Sequence, residues 1–221
     1  MARSRTSPPI IVGVTGPIGA GKSSVCAMFR RWGAIVVSGD EAGKAAVDSS
    51  PAVRRALAAR FGADVVEGGR LNRALVGQRA FASARGVQNL NRIVHPPLIR
   101  LLKTGIRRAR RDPHAKAVVI DAALLVEWGI GQLPWDVLVG VWAPRSERLR
   151  RLRARGVRPA QIRAIERAQM PWSQKRRYCN LIVKNGSSLA VLRREARLCW
   201  QNLLSFNSVN GRALATSRKG R

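Results

Sequence analysis

The chain has 221 residues, of which 46% are apolar, so it suits one large domain or two small ones and is too apolar for intrinsic disorder. Its charge is unbalanced: 41 Lys and Arg stand against 12 Asp and Glu, which gives a net charge of +29. Three scattered cysteines and the lack of an apolar run near membrane-spanning length argue against a secreted disulfide scaffold and an integral membrane protein. We therefore expect a cytoplasmic location, reduced thiols and no membrane partner.

The positive charge has two interpretations. A strongly basic chain favours a nucleic-acid partner, because cations that neutralise phosphates release counterions. The arginines, however, are spread along the chain, and aromatic residues that could stack on bases make up only 5%. We favour a compositional bias toward arginine on solvated faces, and a nucleic-acid partner is the less favoured alternative.

Short apolar runs predict the strands of a parallel sheet. They are residues 10–15, 34–38, 118–121, 137–142 and 181–184. The runs are continuous rather than alternating, which is typical of strands that are covered on both faces. Stretches with helical spacing lie between them and predict right-handed crossovers, so we expect an α/β domain over residues 10–204.

Two helical intervals are too long for simple crossovers. The insertion, about residues 48–113, and the lid segment, about residues 144–178, are expected to cover a substrate site on the α/β core. Residues 1–9 are basic and contain proline, which predicts a flexible lead-in. Residues 205–221 are small, polar and basic, which predicts a disordered tail.

Residues 16–23, with the sequence GPIGAGKS, fit the phosphate-binding pattern GxxxxGK[ST] between a predicted strand and a predicted helix. The glycines let successive N–H groups turn toward an anion, and the helix adds its positive N-terminal end. Lys22 is expected to reach the β- and γ-phosphates, and the Ser23 hydroxyl is expected to ligate Mg²⁺. The NKxD motif by which switch GTPases recognise guanine is missing from the sequence, so the pattern favours a small kinase.

Two aspartates follow predicted strands, where the carboxyl ends of a parallel sheet line the ligand crevice. Asp40 could accept the proton of an acceptor hydroxyl or orient that hydroxyl for attack, or it could be the N-cap of the next helix. Asp121 could hold Mg²⁺ or its water, or it could cap the turn that begins near Leu124. The sequence leaves both pairs of alternatives open.

Together these motifs resemble the dephospho-coenzyme A kinases over about residues 11–188. Beyond the phosphate loop, the segments that carry the resemblance are residues 33–40, 61–62, 71–73, 81, 95–99, 121–127, 151–155, 164–169 and 185–186. Ser38 and Ala164 depart from the pattern, since the family is expected to have Asp and Arg there.

The resemblance implies ATP-dependent phosphorylation of the ribose 3′-hydroxyl of dephospho-coenzyme A, the last step of coenzyme A synthesis, with Mg²⁺ as cofactor. It implies a three-layer α/β/α P-loop kinase fold with a central parallel five-stranded sheet, in which the insertion binds the acceptor and the lid segment closes over it. The implied ATP-binding residues are Gly16, Gly19, Ala20, Gly21, Lys22, Ser23, Ser24 and Asn185. The implied catalytic residues are Asp40, Lys22, Arg151 and Arg155, and the implied acceptor-binding residues are Asp40, His95, Leu124 and Glu127. Ser23, helped by Asp121, would hold the metal.

Several alternatives stay open at this point. His95 could stiffen the start of a helix before Pro96, and Glu127 could pair with an arginine. A P-loop kinase of another small acceptor, such as a nucleoside monophosphate or a sugar acid, is one alternative function. An ATP-binding module that docks on RNA through its arginines is another.

Overall fold

The structure is a computed structural model that describes residues 8–129 and 131–218, with side chains described as far as Phe206. It forms two compact units: unit 1 comprises the chain up to Val37 and from Gly105 onward, and unit 2 comprises Ser38–Thr104. Most of the predicted lead-in and the last three residues of the predicted tail lie outside the described residues.

The described chain alternates strands and helices. In order, the elements are β1 (Ile10–Thr15), α1 (Lys22–Arg31), β2 (Ala34–Ser38), α2 (Gly39–Asp48), α3 (Pro51–Phe61), β3 (Val66–Glu67), β4 (Arg70–Leu71), α4 (Arg73–Ala80), α5 (Ala84–Arg111), β5 (Ala117–Asp121), β6 (Val137–Trp142), α6 (Arg145–Ala154), α7 (Pro159–Ala168), α8 (Trp172–Lys175), β7 (Leu181–Lys184) and α9 (Leu189–Arg218). Short 3₁₀ turns at Ala63–Val65 and Arg176–Tyr178 join some of them.

The central sheet has five strands in the order β2-β5-β1-β6-β7, which confirms the predicted parallel sheet. β1 is central and buried along its whole length, and its Val12 is in register with Val119 on one side and Val137 on the other. Continuous burial explains why these strands appear in the sequence as unbroken β-branched runs. Four of the predicted strands have the observed bounds, and β5 begins one residue earlier than predicted.

Helices cover both faces of the sheet, which confirms the three-layer architecture. On one face α1 and α9 contribute Phe29, Trp200 and Leu203 to the main apolar core. On the other face Gly140 of β6 faces Trp172 of α8, and Gly105 of α5 faces Val37 of β2. The carboxyl ends of the strands meet at one edge, which is where ligands bind in folds of this kind.

Unit 2 has its own small core, built from Val47, Leu57, Phe61, Val65, Val76 and Ala80. It contains most of the predicted insertion, and helices form there as expected. The sequence analysis missed the short antiparallel pair of β3 and β4, which turns at Gly68 and Gly69 with positive φ at both residues. The acceptor-binding role of the insertion stays a prediction.

The C-terminal part differs from the expectation of a disordered tail. α9 continues through Arg218, well beyond residue 205. Proline does not occur after residue 171, and the sequence near the end of α9 includes Ala and Leu, which favour helix. Nowhere in the described chain does a helix combine the length and the apolar character that crossing a membrane requires.

Candidate phosphate-binding site

The predicted phosphate loop connects β1 to α1, and its glycines allow close approaches that other residues would block. Gly21 precedes α1 with φ of 95°, and a Cβ there would collide with the side-chain amide nitrogen of Asn185. Gly19 has φ of 78°, and a Cβ there would lie 3.0 Å from the carbonyl oxygen of Arg148. Positive φ and crowding together require glycine at both positions.

The N-terminus of α1 is open to an anion. Among the described residues no side chain caps this helix, and its first turn contains no acidic residue. Ser23 and Ser24 in that turn are exposed. The positive end of the helix dipole therefore has neither a side-chain cap nor an acidic residue of its own first turn beside it.

Lys22 is held by Asp121, which stands at the end of β5. Its Nζ donates to Asp121 Oδ1, and each side chain is 15% exposed. Asp121 Oδ1 is therefore used by Lys22, and a role of this carboxylate toward Mg²⁺ stays a prediction. Burial raises the pKa of the nearby Cys26 thiol, and the Asp121 carboxylate raises it further, so Cys26 stays protonated and is not a nucleophile.

Asn185 follows β7 and anchors the phosphate loop. The residue is 7% exposed, and its Nδ2 donates to the carbonyl oxygen of Ala20 at 2.8 Å. Its own backbone N–H donates to the carbonyl oxygen of Trp142 at 2.7 Å. The predicted ATP-binding residue thus contacts the loop through its amide, and a contact with adenine stays a prediction.

The lid segment also reaches the phosphate loop, through Arg148 and Gln169. Neither was among the predicted binding or catalytic residues, although Gln169 lies in a segment that carries the family resemblance. Arg148 Nη1 donates to the carbonyl oxygen of Ile18 at 3.1 Å, and the Ile18 N–H donates to Gln169 Oε1 at 3.0 Å. In the sequence Arg148 lies within a run of arginines. Helical spacing could have selected it, because Arg148, Arg151 and Arg155 share one helix face at spacings of three and four residues.

The two lid arginines that were predicted to be catalytic differ in their surroundings. Arg151 Nη2 donates to the carbonyl oxygen of Asn185 at 2.9 Å. Within the described residues Arg151 Nη1 is buried without a hydrogen-bond partner. Arg155 is exposed at the end of α6. The structure therefore brings Arg151 to Asn185, which itself contacts the loop, and leaves Arg155 exposed.

Glu127 is used inside unit 1. Its Oε1 accepts from the Met170 N–H at 2.8 Å and lies 2.5 Å from Nζ of Lys175, which is 1% exposed. Lys175 also donates to the carbonyl oxygen of Ala123 at 2.9 Å. The alternative that Glu127 pairs with an arginine is wrong, because its partner is Lys175. Leu124, the neighbouring residue predicted to bind the acceptor, is half-buried in the same turn.

In unit 2, Ser38 is the N-cap of α2, with its hydroxyl accepting from the Glu41 N–H at 3.2 Å. Asp40 is exposed in the first turn, so the alternative that Asp40 caps this helix is wrong. His95 is half-buried within α5, and burial lowers the pKa of its imidazole. The idea that His95 precedes a helix start is also wrong, because α5 runs through Pro96 and Pro97 without ending.

Comparisons with known proteins match most of the chain to one family. The family model described as dephospho-CoA kinase matches residues 10–190. The dephospho-CoA kinase of Corynebacterium diphtheriae is 35% identical over 193 residues, which are 86% of this chain and 96% of that protein. The dephospho-CoA kinase of Thermus thermophilus is 36% identical over 189 residues, which are 84% of this chain and 88% of that protein.

Two solved structures have similar folds. A crystal structure from Thermus thermophilus, 34% identical, superposes with a TM-score of 0.72 over 89% of this chain and 98% of its own. A dephospho-CoA kinase from Campylobacter jejuni superposes with a TM-score of 0.64 over 89% of this chain and 98% of its own. At 18% identity the second likeness concerns the fold alone.

Proposed function

The chain belongs to the dephospho-CoA kinase family, and on that basis we propose that it transfers the γ-phosphoryl group of ATP to the ribose 3′-hydroxyl of dephospho-CoA, which yields ADP and coenzyme A. The observation that carries this proposal is the glycine-rich loop followed by an uncapped helix N-terminus, at the carboxyl edge of the sheet. Phosphoryl transfer depends mostly on positioning and on neutralising charge, and this site supplies both.

The phosphate loop binds the triphosphate of ATP in this proposal. The backbone N–H groups at Gly19, Gly21 and the first turn of α1 donate to phosphate oxygens. Lys22, whose ammonium group is paired with Asp121, donates to the phosphates when ATP is present. Asp121 thus keeps the lysine side chain near the loop before the nucleotide arrives.

Mg²⁺ fits the oxygen donors beside the loop. The exposed hydroxyl of Ser23 and the carboxylate of Asp121 are the kind of ligands that Mg²⁺ takes when substrate phosphates and water complete its shell. No group of three or more His, Cys, Asp or Glu side chains within the described ranges could hold a metal, which agrees with a shared site of this kind. When bound, the ion neutralises charge on the phosphates.

Arg151 and Arg155 stabilise the transferring group in the proposed mechanism. Arg151 supports this role through its position beside Asn185 and through a buried Nη1 that has no partner in the described part of the chain. A guanidinium nitrogen of this kind suits a phosphate oxygen. Arg155 lies one helical turn further along and is exposed, so its role depends on a contact made only with ligand present.

Asp40 is the proposed base that accepts the proton of the 3′-hydroxyl or orients that hydroxyl. Its side chain is exposed, and the N-cap of α2 is Ser38 rather than Asp40. His95 and Leu124 are proposed contacts to the acceptor. Glu127 Oε1 already serves Met170 and Lys175, so the proposed contact of Glu127 to the acceptor rests on Oε2, which is buried without a hydrogen-bond partner in the described part of the chain.

A cytoplasmic location accords with this activity. Cys26, Cys179 and Cys199 are free thiols, as expected of a protein kept in a reducing compartment that supplies ATP.

ADP release with Mg·ATP and dephospho-CoA tests the proposed function. We expect acceptor-dependent release, and Asp40→Asn should lower turnover by about a hundredfold or more while ATP binding persists. Glu41→Gln is the matched control, since it changes a neighbouring exposed carboxylate in the same helix turn and should keep near-normal turnover. Release that depends on a nucleoside monophosphate or a sugar acid, and not on dephospho-CoA, would overturn the assignment.

A further inference from the structure

Both backbone polar groups of one phosphate-loop residue are held by the lid segment. The N–H of Ile18 donates to Gln169 Oε1 at 3.0 Å, and its carbonyl oxygen accepts from Arg148 Nη1 at 3.1 Å. The two partners come from different parts of the lid segment: Arg148 belongs to α6, and Gln169 directly follows α7. Ile18 is therefore fixed from both sides by side chains more than a hundred residues away in the sequence.

The contact between α6 and the loop is close. The carbonyl oxygen of Arg148 and the side chain of Leu152 both lie 3.0–3.1 Å from the position that a Cβ on Gly19 would occupy. The Arg148 side chain is 11% exposed, and Nη1 also donates to Glu166 Oε1 at 3.3 Å. Glu166 in turn accepts from Arg145 at 3.0 Å. Arg148 is thus buttressed by an acid of α7 while it holds the loop.

The peptide groups around Ile18 determine how the loop presents its N–H groups. Loop glycines allow many backbone conformations, so the sequence of the loop alone does not select the one in which the N–H groups converge. Hydrogen bonds from a charged donor are about twice as strong as those between neutral groups. A fixed Ile18 reduces the conformational freedom that ATP binding must otherwise remove.

We propose that Arg148 and Gln169 are positioning residues that hold the phosphate loop in its ATP-binding conformation and couple it to the lid segment. Neither residue needs to touch the nucleotide for this role. Because coupling is reciprocal, ATP on the loop also stabilises the packing of α6 and the end of α7 against it. The inference rests on the proposed function only in taking ATP as the ligand.

ATP titration calorimetry on the full chain tests this proposal, with Arg148→Gln and Arg145→Gln compared. Both variants remove an arginine that contacts Glu166, but only Arg148 contacts the loop. We expect Arg148→Gln to raise the Kd for ATP about tenfold or more, and Arg145→Gln to stay within about twofold of the parent. Arg148→Lys keeps a cationic donor, so its Kd for ATP should lie between those of Arg148→Gln and Arg145→Gln.

Amide hydrogen exchange supplies a readout that a general loss of stability would not reproduce. Gln169→Leu removes the acceptor of the Ile18 N–H and leaves Arg148 in place. We expect exchange at Ile18 to accelerate about tenfold while exchange in β1 is unchanged, and Gln169→Glu to retain protection. If Arg148→Gln fails to fold, Arg148→Lys and Gln169→Leu decide the question.

Either of two results would overturn the inference. One is an ATP affinity of Arg148→Gln equal to that of the parent; if Arg148→Gln does not fold, the same result in both Arg148→Lys and Gln169→Leu counts instead. The other is an unchanged rate of amide exchange at Ile18 in Gln169→Leu. These outcomes are distinct from failure of the proposed function. A chain that does not phosphorylate dephospho-CoA but loses ATP affinity on Arg148→Gln would refute the assigned acceptor and support the positioning role.

Discussion

Replacing Glu127 by alanine removes the partner of a buried ammonium group. Lys175 is 1% exposed, and its Nζ would then keep the hydrogen bond to the carbonyl oxygen of Ala123, at 2.9 Å, without a carboxylate beside it. Breaking a buried pair costs about 3–5 kcal/mol, because the remaining charge is left without compensation. In a protein of this size each kcal/mol shifts Tm by roughly 2–4 °C, so we expect Glu127→Ala to lower Tm by about 6–20 °C.

Thermal unfolding followed by circular dichroism measures this loss. Asp48→Asn is the control, because it breaks the exposed ion pair with Arg73, which is worth at most about 1 kcal/mol. The double variant Glu127→Met with Lys175→Met removes both charges and should unfold within a few degrees of the parent. A Glu127→Ala protein that unfolds within about 2 °C of the parent would refute the structural role.

The conservative variant Glu127→Gln separates this structural role from acceptor binding. The amide oxygen still accepts from the Met170 N–H, but the charge that compensates Lys175 is lost. We expect a lower Tm from the lost charge and, well below that Tm, a raised KM for dephospho-CoA, because Oε2 no longer offers a carboxylate oxygen to the acceptor. A lowered Tm with a KM within about twofold of the parent would leave Glu127 with the structural role alone.

Three further predictions concern the helix ends and the lid segment. Ser38→Ala should cost about 1 kcal/mol in urea unfolding, because the Glu41 N–H loses its capping oxygen, and Ser38→Asp should retain stability. Gly21→Ala should weaken ATP binding in calorimetry by about tenfold or more, since φ is 95° and a Cβ has no room there. The hydrogen bond from Arg145 lowers the pKa of Glu166 in the folded state. The stability that this carboxylate contributes is therefore complete above the pKa of an unfolded Glu, about 4.3, and is lost as the pH falls through the lower pKa of the folded state. The difference in urea midpoint between the parent and Glu166→Gln should therefore shrink between about pH 7 and pH 3, and a constant difference would contradict this sign.

The sheet could be predicted because its strands are buried on both faces. A central strand such as β1 is then a continuous apolar run in the sequence, and the glycine-rich loop and the helical segment that follow mark where it ends. The phosphate loop was equally predictable, since the positive φ of Gly19 and Gly21 admits few other residues. Short elements carried less signal: β3 and β4 contribute two residues each, which is too few for a period to appear.

The role of a side chain was harder to predict wherever many residues of one type compete for it. Arg148 has the same chemistry as its neighbours in α6, and only the fold brings it to Ile18, 130 residues earlier in the chain. The partner of Glu127 was equally hard to predict. Arginine is the common cation in this chain and was the expected partner, but the observed partner is Lys175, one of few lysines. Both roles depend on contacts between residues distant in sequence, and such contacts cannot be predicted from the spacing of residues within one segment.

Ser38 illustrates how a departure from a family pattern can leave the start of a helix intact. The expected aspartate and the observed serine are both good N-caps, because each offers an oxygen to an N–H of the first turn. Ser38 fulfils that local requirement through Glu41, so the start of α2 does not depend on a carboxylate at this position. Asp40 is exposed in the first turn of the same helix and takes no part in capping it. The substitution at Ser38 removes one negative charge from the strand end, and the proposed base remains.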